Sequence, residues 1–304
     1  MSFKHIVGEF AVKDGKAELV SIADSSNSSI LELNNSIKDS IESNSKNLKP
    51  EILHELRFPK YKDQLIAANV LIVKDAIAKS VNTDTYIVQS INSVTEMDKI
   101  CNTLVKRLRE WYSYYYPELS NEISDNELFV KKLLQHSKDE LMREYDLEIS
   151  MGPSIEQKDL DMMLSFARQV DDMYLERNKI ILYIENTLMA YTPNMYALVG
   201  GLIGAKLIEK AGSLKHLAML PSSTVQLLGA EKALFRHIRN KKIRPPKHGL
   251  ILSHPFVMNA KRSEKGTAAR TLAAKISIAA RVDYFKGEFV GDKLYEDLKL
   301  KLGE

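Results

Sequence analysis

Cysteine is almost absent from this chain, because Cys101 is the one cysteine among 304 residues. A single thiol cannot form an intramolecular disulfide or a zinc cage of cysteines, and this usage suits a reducing compartment. The chain start lacks the basic and apolar regions of a signal peptide. The longest uncharged apolar run, residues 195–205, falls well short of the roughly 20 residues of a membrane span. These absences exclude disulfide scaffolds and membrane-spanning proteins, and they predict a cytosolic location.

Recognisable catalytic motifs are also lacking. The segment 54–58 begins like a zinc-protease helix, but Phe58 stands where the second histidine is required. The glycines in residues 200–204 follow no predicted strand and match neither a Rossmann nor a P-loop spacing, so close helix packing is favoured. His248 and His254 have no neighbouring carboxylate or thiol cluster, which is typical of loop histidines rather than metal ligands. We therefore predict a protein that is not an enzyme and has no cofactor or metal of its own.

Positive charge is concentrated in one window. Residues 229–270 contain eleven Lys and Arg against two acids, an excess of nine, within a chain whose overall net charge is +3. The other 262 residues therefore sum to −6. Such a concentration favours a polyanionic partner, above all nucleic acid, and the alternative is a solvated basic face without a partner.

The first part of the chain predicts a small α+β domain over residues 1–95. Two short β-rich runs flank Asp14-Gly15, a hairpin signal. The polar stretch 25–50 fits either a weak helix or a flexible connector, and apolar positions in residues 50–94 fit helices.

Heptad spacing dominates the middle of the chain. Apolar residues between 97 and 115 alternate at four and three, which predicts a long helix ended by Pro117. Ser154 and Gln157 match a capping box, so a second helix is expected to start there. Together the helices predict an antiparallel coiled-coil hairpin over residues 96–192, with homodimerisation or core packing as alternative uses of the second seam. That seam comprises Met163, Phe166, Val170, Met173, Ile180 and Ile184, with Arg177 as its polar member.

The break at residues 192–194 and a shift to small residues predict an all-α domain over residues 193–304. The fold class is thus mainly α. Within this domain, a turn at Gly229 leads into a helix on which Lys232, Arg236 and Arg239 share one face. Free backbone N–H groups at a helix start can hold a phosphate. Further basic residues extend this surface into a proline-rich loop, which suits contacts to an RNA backbone rather than to bases.

The segment TPNMYALVGGLIGAKLIEKAGSLKHLAMLPSSTVQLLGAEKALFR resembles the Nop-domain family, including its GAEK and ALFR tetrads. The resemblance extends to LVKRLREWYSYYYPEL, MGPSIEQKDL and AAKISIAARVDYF, so it covers residues 97–290. It implies an archaeal-type core scaffold of box C/D guide RNPs. Such a scaffold binds fibrillarin through its N-terminal domain, dimerises through its coiled coil, and clamps a kink-turn RNA with a ribosomal-type kink-turn protein. The implied process is guide-directed ribose 2′-O-methylation of RNA, including rRNA.

The resemblance also assigns residues. The GAEK element would lie at the junction of RNA and kink-turn protein, and the ALFR element near the end of the guide–substrate duplex. Packing is nevertheless favoured for Leu234 and Phe235. The family's Arg-Gly-Lys-x-x-Arg motif appears as residues 265–270, with Thr267 in place of a usual lysine. The predicted RNA- and RNP-binding residues are Gln226, Gly229, Ala230, Glu231, Lys232, Arg236, Arg239, Lys265 and Arg270.

The N-terminal region is shorter than the family version. If it docks fibrillarin, S-adenosylmethionine and the catalytic residues belong to that partner. Two alternatives remain: a splicing-factor branch of the same superfamily, which also binds a kink-turn RNP, and a structural coiled-coil adaptor without RNA.

Overall fold

The computed structural model describes residues 2–5, 8–13, 16–22, 62–147 and 149–302. The chain divides into two compact units, residues 1–82 and 83–304. Helices dominate the described residues, so the prediction of a mainly α protein is confirmed. No helix among them combines the length and apolarity that crossing a bilayer demands.

The first unit contains a three-stranded antiparallel sheet in the order β1-β2-β3. Its strands are β1 (Ser2–His5), β2 (Gly8–Lys13) and β3 (Lys16–Ile22), and helix α1 spans Lys62–Ser80. Lys13 pairs with Lys16 at the end of the β2–β3 ladder, so the two predicted runs do pair. The turn residues Asp14 and Gly15, the stretch 25–50 and the segment 54–58 lie outside the described residues.

Two long helices form the predicted hairpin in the second unit. They are α2 (Thr83–Tyr112) and α6 (Gln157–Tyr191), separated by three short helices. Arg177 of α6 pairs with Asp98 of α2, and the rings of Phe166 and Trp111 lie 6.4 Å apart, so the helices run antiparallel. The short helices are α3 (Leu119–Glu122), α4 (Asn126–Gln135) and α5 (Lys138–Glu144).

The predicted start of α6 at Ser154 is wrong. The helix begins at Gln157 after Glu156, whose side chain makes no capping bond, and Gln157 Nε2 donates to Asp161 instead of reaching back. The preceding loop is fixed from outside, because the Glu118 carboxylate accepts hydrogen bonds from Ser150 Oγ and Met151 N. Tertiary contacts therefore override the local capping pattern.

The second heptad seam packs within the chain. Met163, Val170 and Ile184 are buried, and the remaining seam residues are partly buried against the same apolar cores. Of the two predicted alternatives for the second seam, the structure shows packing within the core of the chain. Homodimerisation through this seam stays a prediction. The partly buried seam residues are Phe166, Met173 and Ile180.

The remaining helices build a second core. This core also takes in Ile87, Ile91 and Val94 of α2 and Ile184 and Leu188 of α6. The helices are α7 (Pro193–Ala211), α8 (Leu214–Met219), α9 (Ser222–Leu227), α10 (Glu231–Arg239), α11 (Pro255–Met258), α12 (Lys265–Tyr284) and α13 (Gly291–Leu302), with a 3-10 turn at Leu250–Ser253.

The glycine cluster in α7 serves helix packing, as the sequence predicted. Gly200 has φ 71° and kinks the helix, and Gly201 N donates to a Glu185 carboxylate oxygen at 3.2 Å. A Cβ on Gly201 would lie 2.6 Å from Glu185 Cδ. A side chain at this position would therefore displace the Glu185 carboxylate from its hydrogen bond to Gly201 N.

Candidate nucleic-acid interface

A tight turn at Gly229 directly precedes the basic helix α10. Gly229 has φ 86°, and a Cβ there would lie 2.6 Å from Leu250 Cγ, so the position requires glycine. The Glu231 carboxylate accepts a 2.6 Å hydrogen bond from Gly229 N, while Ala230 caps the helix without a side-chain bond. In this structure, Glu231 and Gly229 therefore shape the turn from which α10 starts.

Helix α10 has no buried residue. Lys232, Arg236 and Arg239 are exposed, and no hydrogen bond or ion pair among the described residues engages their side-chain charges. The packing expected for Phe235 is wrong, because its side chain is 66% exposed. Leu234 is only partly buried. The helix thus presents cations and an aromatic ring together on the surface, a combination suited to phosphates and stacked bases.

A backbone clamp joins α9 to the proline-rich loop after α10. Gly249 N donates to Gln226 O at 2.9 Å, and Leu250 N donates to Leu228 O at 2.7 Å. A Cβ on Gly249 would lie 1.9 Å from Leu228 O, so glycine is needed for this approach. The clamp carries the basic loop alongside α9.

A groove of about 340 Å³ lies between this loop and the start of α12. Two predicted site residues, Gln226 and Arg270, line it, and none of its lining residues is acidic. Sequence reasoning named Lys247 and Thr267 in passing but did not join them into a site, and it missed Ser263. The lining residues are Gln226, Pro245, Pro246, Lys247, Ser263, Gly266, Thr267 and Arg270.

The predicted residues are therefore only partly brought together. Lys265 does not line the groove, because its ammonium donates to Met258 O at 2.9 Å and so holds the end of α11. The cations of α10 do not line it either. No sequence signal could have joined residues 245–247 to residues 263–270, since a side-chain bond from Gln226 and tertiary packing create that proximity.

The histidines and the cysteine of this unit do not form a metal site. Within the described ranges, no group of three or more His, Cys, Asp or Glu side chains is placed to hold a metal ion. His254 is buried, with Nε2 3.0 Å from Leu198 O and Nδ1 accepting from Phe256 N, and burial lowers its pKa. Cys101 is buried in the hairpin core, and burial raises the pKa of its thiol.

Comparison with known proteins identifies the family. The family model described as "Nop: snoRNA binding domain, fibrillarin" matches residues 93–304, well over half of the chain. This chain belongs to the Nop family.

Two similar relatives illustrate its range. An uncharacterized NOP5 family protein of Methanocaldococcus jannaschii is 37% identical over 237 residues, covering 73% of this chain and 57% of that protein. Nucleolar protein 58 of Schizosaccharomyces pombe is 41% identical over 216 residues, covering 66% of this chain and 42% of that protein. The chain thus spans about half the length of the relatives it matches. A chain of the crystal structure of a fibrillarin/Nop5p complex aligns over 100% of this chain and 99% of that one, at 23% identity and TM-score 0.48.

The predicted cytosolic location is corrected by these relatives. Proteins from S. pombe and Candida albicans that match the chain are named nucleolar protein 58, and the family model is described as snoRNA-binding. These findings point to the nucleolus in organisms that have one. The prediction failed because a missing signal peptide and membrane span do not distinguish cytosol from nucleus.

Proposed function

We propose that this chain is a non-catalytic scaffold of a box C/D RNP. It binds a kink-turn guide RNA together with the protein already on that RNA, and it positions a fibrillarin methyltransferase for 2′-O-methylation. The family assignment supports this function, since the matching model is described by snoRNA binding and fibrillarin. The observation that carries it in the structure is the set of cations on α10 and in the groove, which lie on the part of the chain that matches the family and have no ion-pair partner among the described residues.

The proposed function implies a division of labour along the chain. Residues 193–304 hold RNA and the kink-turn protein, residues 96–192 act as spacer and dimerisation element, and residues 1–95 dock fibrillarin. The scaffold itself needs no cofactor, because the methyl donor S-adenosylmethionine and the catalytic groups sit in fibrillarin. The exposed charges on α10 suit backbone contacts, so RNA shape and its bound protein set the specificity.

The primary test is a gel-shift titration against a box C/D RNA, with and without the kink-turn-binding protein, at two salt concentrations. We expect binding that requires the preformed RNA–protein complex and weakens as salt rises. Absence of binding in both cases would reject the RNP scaffold and favour the coiled-coil adaptor. Binding to a spliceosomal kink-turn RNP in preference to the box C/D complex would favour the splicing-factor branch.

The basic face of α10 gives a sharper test. Lys232→Ala or Arg236→Ala removes one exposed cation each and should lower the slope of log affinity against log salt by about 0.7–0.9 per lost phosphate contact. Lys206→Ala, an exposed lysine on α7, is the matched control and should leave the slope unchanged. Unchanged slopes for both α10 variants would remove α10 from the RNA interface.

The absence of an active site is tested with the purified chain alone. Isothermal titration should detect no S-adenosylmethionine binding until fibrillarin is added. Binding by the chain alone would contradict the scaffold assignment.

A further inference from the structure

The groove contains two cations without a balancing acid. Lys247 and Arg270 both line it, and its lining includes no Asp or Glu. In the part of the chain that the structure describes, no hydrogen bond or ion pair engages the Lys247 ammonium or the Arg270 guanidinium. Two uncompensated positive charges on one concave surface attract an anion, and arginine is suited to phosphate geometry.

The position of Lys247 depends on Gln226. The Gln226 side chain donates a 2.6 Å hydrogen bond from Nε2 to the Lys247 carbonyl oxygen, beside the two backbone bonds of the clamp. Pro245 and Pro246 precede Lys247 and restrict the backbone leading to it. Because the amide of Gln226 is used on the protein backbone, its side chain contributes to the groove by fixing the loop.

The stem of Lys247 lies beside Gly266 at ordinary contact distance. A Cβ on Gly266 would lie 3.7 Å from Lys247 Cδ and 3.9 Å from Lys247 Cβ, so the stem lies against the first turn of α12. That turn is the positive end of a 20-residue helix. Arg270 follows four residues later on the same helix. The loop and α12 thus contribute one cation each to a shared groove.

We propose that Lys247 and Arg270 together bind one phosphodiester of the RNA strand in this groove, and that Gln226 is a positioning residue that acts through Lys247. The proposal rests on the RNP function above and reassigns Gln226 from a direct contact to a support.

The test compares Gln226→Met, which keeps length and charge but loses the donor, with Lys247→Met, which keeps the stem but loses the charge. Each variant is titrated by gel shift against a box C/D kink-turn RNA carrying its kink-turn-binding protein, over a series of potassium chloride concentrations. Each should lower the salt slope by up to about 0.7–0.9, the value of one phosphate contact, because Arg270 still faces the same phosphate. The double variant should match either single one, because the two residues act as one unit.

Lys215→Met on α8 is the control, since Lys215 is exposed and does not line the groove. Its slope should equal that of the unmodified chain. An unchanged slope for Lys247→Met, or additive losses in the double variant, would overturn the proposal. A Gln226→Met variant that lowers thermal stability while leaving the slope intact would reduce Gln226 to a purely structural residue, and would also overturn it. An unmodified chain that binds no RNA complex would reject the proposed function instead.

Discussion

At the scale of single residues, buried polar groups hold the second core in register. Asp283 of α12 accepts hydrogen bonds from Asn194 N, Asn194 Nδ2 and Met195 N, and so satisfies the free donors at the start of α7. Burial raises the pKa of Asp283, and these hydrogen bonds oppose that rise. Asn194 Oδ1 in turn accepts from Val290 N just before α13. One buried carboxylate thus organises the junction of three helices.

His254 predicts a pH dependence of stability. Its ring accepts from Phe256 N at Nδ1 and donates to Leu198 O from Nε2, which requires the neutral form. Burial lowers its pKa from 6.5, so the unfolded chain binds more protons than the folded chain over the window below that value. Stability contributed by His254 should therefore be present above about pH 6.5 and should decline as pH falls towards the folded pKa.

The measurement is urea unfolding at a series of pH values from neutral to mildly acidic. The unmodified chain should lose stability on acidification, and His254→Asn, which keeps a helix-capping side chain without the titrating ring, should lose less. His248→Asn, at a partly exposed loop position, serves as the matched control. Equal pH slopes for the unmodified chain and His254→Asn would show that His254 does not carry the effect.

Phe235 marks the limit of sequence reasoning at this scale. Its position within a helical tetrad favoured packing, yet its side chain is mostly exposed. Periodicity shows which side chains share a helix face, but not whether anything covers that face. Helix α10 is set off from the core by the Gly229 turn, and nothing in its own residues reveals this.

At the scale of elements, the Gly229 turn determines where α10 begins. Gly229→Ala would combine a left-handed backbone with a Cβ clash against Leu250, whereas Gly212→Ala would add a Cβ at the same φ of 86° with nothing within 4 Å. We expect Gly229→Ala to lower the unfolding free energy by about 1–3 kcal/mol and Gly212→Ala by less. Chemical denaturation measures both, and equal losses would show that the Leu250 contact contributes nothing.

A substitution in the hairpin core should also lower the stability of the chain. Phe166→Asp would place an unpaired charge beside Trp111 in a partly buried position of the hairpin core. The loss should reach about 2–4 kcal/mol, because the aromatic contact disappears and a carboxylate is desolvated. Met162→Asp, one turn earlier and 60% exposed, should cost far less.

Urea unfolding separates these two variants, and light scattering reports their mass. We expect Phe166→Asp to retain the RNA binding proposed for residues 193–304 while the hairpin loosens. Matching unfolding midpoints for the two variants would contradict the packing role of Phe166. A mass unaffected by Phe166→Asp would count against the proposed dimer seam.

At the scale of the whole molecule, the heptad pattern identified the hairpin but not how far it reaches. The expected helix over residues 97–115 is the second half of α2, which begins at Thr83. Its first half carries apolar residues that join the C-terminal core and not the hairpin core. From the sequence, these residues were assigned to the first domain, because the helical pattern is the same before and after the predicted boundary at residue 95. Which core a helix joins depends on the packing of distant segments.

This shared core yields the last prediction. Residues 193–304 were expected to form a domain of their own, yet their core contains five buried residues from α2 and α6. A fragment of residues 193–304 would expose the apolar surface that those side chains cover, and burial of one such side chain is worth roughly 1.5–3 kcal/mol. We therefore expect a fragment of residues 83–304 to unfold cooperatively, and a fragment of residues 193–304 to be several kcal/mol less stable. Thermal melts followed by circular dichroism compare the two. If the shorter fragment melts cooperatively at the same temperature as the longer one, the α2 and α6 residues do not stabilise the C-terminal core. A shift to lower temperature would show that the base of the hairpin and the proposed RNA-binding surface share one folding unit.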